Sequence, residues 1–259
     1  MSNHEDSRRE RRAVRRRDPW LSRRPRPSSG SPRSRPAGSL TVLADSDTVW
    51  IMQRIRSEPR RQNDVASPEA MREAIRVLGL VDAMGLFQLR EPASYFQLSL
   101  LREAADAAAH AGIGRSAAAL LATDQPNPRL VFVALRQLAE ALEDSPLPQC
   151  EARELGRVLG WEFLAAMVNA SAVSVRRYAS NVREAPDDVA GRLHLLALIV
   201  GNLKGAYNDA GIRRWFERPR VQLRGRAPKE LFHGDWTPDQ REVLAVRELA
   251  NSLAGAGAA

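Results

Sequence analysis

From about residue 40 onward apolar residues recur at intervals of three and four, and β-branched runs are scarce, a spacing that predicts helices throughout and an all-α fold. The first start is Ser67-Pro68-Glu69: a capping serine, a proline at the first helical position and an acid in the first turn. Met71, Ala74, Ile75 and Leu78 share the apolar face of that helix, and Gly79 reads as its stop. A second helix is expected from Ala93 or Ser94 to His110, carrying Tyr95, Leu98, Leu101, Ala105 and Ala109, with Gly112 beyond its end. A short Ala-rich helix over 116–122 follows, then a break at Pro126 and Pro128 and a helix over 128–142. Pro146 and Pro148 read as a linker, and the main boundary is placed there. Later, Pro186-Asp187-Asp188 opens a helix over about 189–203 whose Leu193, Leu196, Leu198, Ile199 and Val200 cover most of its circumference, as in a helix buried in a core or an oligomer interface. His194 within it has no second ligand at i+3 or i+4, so it reads as a satisfied structural histidine rather than a metal ligand.

The stretch over 161–178 has a helix-turn-helix layout. Leu164, Ala165 and Val168 would pack the first helix, and Asn169 stands where the tight turn needs a residue tolerant of left-handed dihedrals. Ser171 would cap the second helix, with Val175 returning to the core and Ser174, Arg176, Arg177 and Tyr178 on or near the outer face. In this motif the second helix enters the major groove, so Ser174 and Arg176 are candidates for base contact and Arg177, Tyr178 and Arg183 for phosphate contact with double-stranded DNA. The alternative is an ordinary helical hairpin, because such strings recur in Ala- and Arg-rich chains.

Charge sharpens the picture only once it is divided by region. The 259 residues carry 39 Lys+Arg against 31 Asp+Glu, a net charge of +8, and Lys204 and Lys229 are the only lysines. Residues 1–38 hold twelve arginines and four acids, so this segment alone accounts for the whole excess. Its Ser, Pro and Arg content offers too little apolar surface to offset the entropy of ordering, and it reads as a disordered arm suited to phosphate backbones. A solubilising extension is the plainer reading of the same run. Residues 39–259 sum to neutrality, yet 171–226 hold eleven Lys/Arg against five Asp/Glu, so a second basic region coincides with the proposed reading helix.

Composition excludes several classes. One cysteine, Cys150, rules out an intramolecular disulfide framework and a cysteine-built zinc site, in keeping with a reducing cytoplasm. The longest apolar run, over 193–200, is interrupted by His194 and is far short of the roughly 20 residues that span a bilayer. No membrane association, metal or cofactor is expected. An enzyme would need a nucleophile or paired acids near a base, and no such spacing stands out, so none is expected. Asp187 and Asp188 read instead as helix-start residues.

Beyond the apolar helix come Trp215-Phe216, then Arg218-Pro219, then Leu223-Arg224-Gly225-Arg226-Ala227-Pro228-Lys229-Glu230-Leu231, and a closing helix over 238–253 ending in Gly255. In this order, from about residue 150 to 255, the chain resembles the Xre/ParS/MbcA-type antitoxins. The resemblance implies a helix-turn-helix that represses the protein's own operon and a small helical domain that neutralises a RES-domain, NAD-consuming toxin, in dimeric or toxin-bound assemblies. It implies a toxin-facing surface formed or supported by Trp215, Phe216, Arg218, Pro219, Leu223, Arg224, Gly225, Arg226 and Pro228. The aromatics could equally hold the small domain together, and the arginines could equally contact DNA phosphate. The arm and roughly a hundred helical residues before position 150 have no counterpart in the family, and Asn169-Ala170 replaces its usual Gly-Val. The expected organisation is therefore 1–38 arm, 39–148 helical region, 149–204 helix-turn-helix region and 205–259 toxin-binding domain. A freestanding helix-turn-helix regulator or nucleoid-associated DNA-binding protein without a toxin is the other reading.

Overall fold

Helix α1, Pro68–Ala83, begins where the Ser67 hydroxyl accepts the Ala70 amide at 3.1 Å, with Pro68 at the first helical position. The computed structural model describes residues 67–89, 97–124 and 126–256. The expected arm over 1–38, Tyr95 and the start at Ala93 or Ser94 lie outside the described residues. All described secondary structure is helical, as the spacing predicts.

Gly79 does not stop α1. The helix runs four residues further, because Gly79 lies where α1 crosses a later helix: a Cβ there would sit 2.2 Å from the Gly201 carbonyl oxygen. The glycine serves close packing rather than termination. Helices α2 (Leu98–His110), α3 (Arg115–Leu121) and α4 (Pro128–Glu143) follow, with Gly112 at φ +89° after α2 and the Asn127 side chain capping α4 through the Arg129 amide at 2.9 Å.

Pro148 opens a helix rather than lying in a linker. It is the first residue of α5, Pro148–Leu159, which includes Cys150 and buries Ala152, Leu155 and Val158. Proline at this position loses no intrahelical hydrogen bond, so the residue that reads as punctuation is a helix start. Next come α6 (Trp161–Met167), α7 (Ala172–Ala179), α8 (Asp187–Lys204) and α9 (Asp209–Glu217). Two 3₁₀ turns, Val221–Leu223 and Pro228–Leu231, lead to α10, Arg241–Ala256, which begins three residues later than the expected position 238.

Helix α8 is the axis of this assembly, with α1, α5 and α10 packed against it and nearly every residue from Val189 onward buried. The apolar pattern around its full circumference is thereby explained. Helices α2, α3 and α4 extend the packing from α1, while α6 and α7 pack with α5. One continuous hydrophobic core runs from Ala70 to Ala250, so residues on both sides of position 148 share it.

Two ionic clusters fasten α5 to its neighbours. Lys204 Nζ lies 2.5 Å from Asp82 and 2.8 Å from Glu154, and Arg157 joins Glu154 at 2.6 Å to Asp209 at 2.9 Å. Burial pushes the Glu154 carboxyl up, but Arg157 and Lys204 together outweigh it and hold the group below its ordinary value. Nearer the start of α8, His194 places Nδ1 2.7 Å from the buried Glu151 carboxylate and Nε2 2.7 Å from the Glu143 carbonyl. His194 is thus a satisfied structural histidine, as its sequence context predicts.

Candidate nucleic-acid interface

Helices α6 and α7 are joined by a tight turn over 168–171 and supported by α5. Leu164, Ala165 and Val168 are buried on the inner side, as is Val175 from α7. Asn169 takes φ +55°, the left-handed conformation its position requires, and the Ser171 hydroxyl accepts the Ser174 amide at 3.0 Å to start α7. Asparagine adopts this conformation more readily than a branched residue does. The α5–α6 junction is set by Gly160 at φ +88°. Trp161 lies against Gly156, where a Cβ would approach the indole ring to 2.4 Å.

The outer face of α7 differs from expectation at three places. Tyr178 is buried, not exposed, since it lies three residues after Val175 and so shares its face; this removes it as a phosphate contact. Arg176 is exposed but engaged, 2.9 Å from Glu162 and with its guanidinium 5.6 Å from the centre of the Trp161 ring, both on α6. Ser174 is half-buried, and its hydroxyl accepts from Ser171 Oγ at 2.9 Å, so it completes the helix cap. Arg177 and Arg183 are exposed and make no side-chain hydrogen bond or ion pair among the described residues.

Val173 is the residue the sequence reading passes over. It is 56% exposed at the second position of α7. The spacing contains the signal: Val175 is core, and residues two apart on a helix face opposite ways, so Val173 must point outward.

The basic stretch over 171–226 is less of a surface patch than its composition suggests. Arg192 and Lys204 are buried in hydrogen bonds and ion pairs. Arg213 donates to the Val158 carbonyl at 2.5 Å, and Arg220 is half-buried with its guanidinium 5.2 Å from the centre of the Trp215 ring.

The same burial decides the expected toxin-facing set. Trp215 and Phe216 lie three and four residues after the buried Ile212, on the inner face of α9, and are fully enclosed. Leu223 and Pro228 are also buried. These four residues cannot supply contact surface; they hold the C-terminal segment together. Rings of Phe163, Phe216, Phe232 and Trp236 form a continuous series, with successive centroids 6.3, 6.1 and 5.0 Å apart. Arg218, Pro219, Arg224 and Gly225 are exposed, and Arg226 is half-exposed and paired with Glu242 at 2.8 Å. Arg224 takes φ +58° at the end of the first 3₁₀ turn, beside Val221, which is 92% exposed.

No protein-family model, curated protein or solved structure matches the chain. Among the described residues, no helix is long and apolar enough to cross a membrane.

Proposed function

We infer that the chain is an antitoxin-type protein that binds double-stranded DNA, with α6 and α7 as a helix-turn-helix and α7 as the reading helix. The observation that carries this reading is the turn itself: a left-handed Asn169 and a capping Ser171 between two short helices, with α7 turning Val173, Arg176 and Arg177 to solvent. In the major groove, Val173 suits a thymine methyl group and Arg177 a guanine edge or a phosphate. Arg183, just past α7, suits the backbone, and Arg176 joins them by exchanging Glu162 for a phosphate oxygen. The Arg-rich segment over 1–38 adds contacts indifferent to sequence. A homodimer would read two half-sites one helical turn apart.

The resemblance of the C-terminal region supplies the second partner, a RES-domain toxin. The surface left for it comprises Arg218, Pro219, Arg224, Gly225 and Arg226, with Val221 as an apolar anchor. Arginine beside an exposed apolar side chain is the composition of an interface hot spot. No catalytic role is assigned to any residue. The test is co-expression with a RES-domain toxin encoded beside this chain. Growth is expected to recover, and the double change Arg218→Glu, Arg224→Glu is expected to abolish recovery. Rescue untouched by both charge reversals would remove the toxin-facing assignment.

A second reading, a freestanding regulator, is favoured by one observation: burial of Trp215, Phe216, Leu223 and Pro228 takes the aromatic part away from the toxin-facing surface. It is separated from the first by a chain that retards its preferred duplex in a gel shift yet rescues no toxin.

A further inference from the structure

The end of α6 is held by residues from far along the chain. The last carbonyls of a helix have no partner within it. Here the Met167 carbonyl accepts the Trp236 indole N–H at 2.7 Å, and the Val168 carbonyl accepts from Arg192 Nη1 at 3.2 Å. Arg192 Nε donates to the Trp236 carbonyl at 2.9 Å, and its guanidinium lies 5.7 Å from the centre of the Trp236 ring. Both side chains are buried. A cation at the carbonyl end of a helix is also favoured by the helix dipole. One residue on, Asn169 Nδ2 donates to Asp235 Oδ1 at 3.0 Å, and Asp235 lies 3.8 Å from Arg192.

Three consecutive residues, Met167, Val168 and Asn169, are therefore each bonded to α8 or to the segment over 232–237. Any rotation at Asn169 swings α7, which starts three residues later. The left-handed conformation there is intrinsically unfavourable for a residue with a Cβ, so it persists because its surroundings hold it.

We propose that Arg192 and Trp236 are positioning residues for α7, through which the C-terminal segment sets DNA affinity. The proposal rests on the helix-turn-helix reading above. Asp235 is the accessible end of this arrangement, with its side chain 93% exposed and His233 and Gly234 exposed beside it.

The experiment uses the full chain, a duplex that it selects from a randomised library, and a random-sequence duplex of equal length. Trp236→Phe keeps a ring but removes the donor to Met167, and Asp235→Ala alters an exposed side chain outside the core. Each is expected to weaken binding to the selected duplex roughly three- to tenfold, the worth of one hydrogen bond. Binding to the random duplex should change by less than about twofold, since the sequence-indifferent contacts assigned to the Arg-rich segment over 1–38 do not depend on where α7 sits. Amide exchange at residues 168–171 should quicken in both variants. Unchanged affinity for the selected duplex together with unchanged exchange overturns the proposal, and so does a lowered melting temperature with normal binding well below it, which is plain destabilisation. Arg177→Ala separates the two levels. If it weakens selected-duplex binding while the clamp variants do not, positioning fails and DNA reading stands; if the chain selects no duplex, both fall.

Discussion

Two helical glycines, Gly79 in α1 where it crosses α8 and Gly191 in α8 away from that crossing, give identical substitutions with opposite expected signs. Gly79→Ala places a Cβ 2.2 Å from the Gly201 carbonyl oxygen, a backbone atom that cannot rotate away. Gly191→Ala, near the start of α8, places its Cβ 3.4 Å from Pro238 Cγ, an ordinary contact. Both replacements gain helix propensity, worth about 1 kcal/mol. At Gly191 that gain should survive nearly intact. At Gly79 the helices must separate by about 1 Å, a gap that forfeits a quarter to a half of each dispersion contact across it. Buried Val77, Leu80, Ala197 and Leu198 belong to these two helices. Overpacking of this kind costs about 3 kcal/mol at the upper end of its usual range, leaving a net loss of about 2 kcal/mol. For a unit of this size, 1 kcal/mol moves the melting temperature by about 2–4 °C. Gly79→Ala should therefore melt about 4–8 °C below the parent and Gly191→Ala about 2–4 °C above it, followed by circular dichroism at 222 nm. A Gly79→Ala protein that melts at or above the parent would refute the close-approach account.

Three further outcomes follow from the ionic and capping contacts. Burial pushes the His194 imidazolium down, but its hydrogen bonds to Glu151 and the Glu143 carbonyl outweigh this and leave its pKa raised. Its contribution is then fully present below the unfolded value of about 6.5 and lost as pH rises through the folded one, so the melting gap between parent and His194→Gln should narrow from pH 5 to pH 8.5; a widening gap contradicts the sign. Lys204→Met leaves Asp82 and Glu154 buried without their ammonium partner and should cost about 3–5 kcal/mol in urea unfolding, whereas a loss below about 1 kcal/mol would mean that water already solvates the pair. Ser171→Ala removes the α7 cap and should cost about 1 kcal/mol, read as a shift in the denaturation midpoint at constant m; no shift would mean that another group caps the helix.

Local signals in the sequence were legible where one residue decides the outcome. Ser67-Pro68, Pro128, Asn169 and Ser171 each fix a helix boundary or turn through their own backbone or side-chain chemistry. Burial was legible where the pattern covers a whole helix, as in α8. Glycine and proline were read wrongly at Gly79 and Pro148 because each has two meanings, a stop or a close approach in one case and a linker or a helix start in the other. Only the partner helix distinguishes them. Tyr178, Trp215 and Phe216 were within reach of spacing alone, since each follows a core residue by three or four positions on its own helix. The clamp on α6 was not, because Arg192, Trp236 and Met167 are joined across gaps of 44 and 69 residues.

The proposed reading of duplex DNA by α7 is open to a salt titration of the full chain on its selected duplex and on a random one. The selected duplex should be bound at least about a thousandfold more tightly than the random one at physiological salt. Arg177→Ala should remove most of that preference, while Arg183→Ala should lower affinity for both duplexes and reduce the slope of log affinity against log salt by about one. Equal affinity for the two duplexes, with neither substitution changing it, would contradict the account.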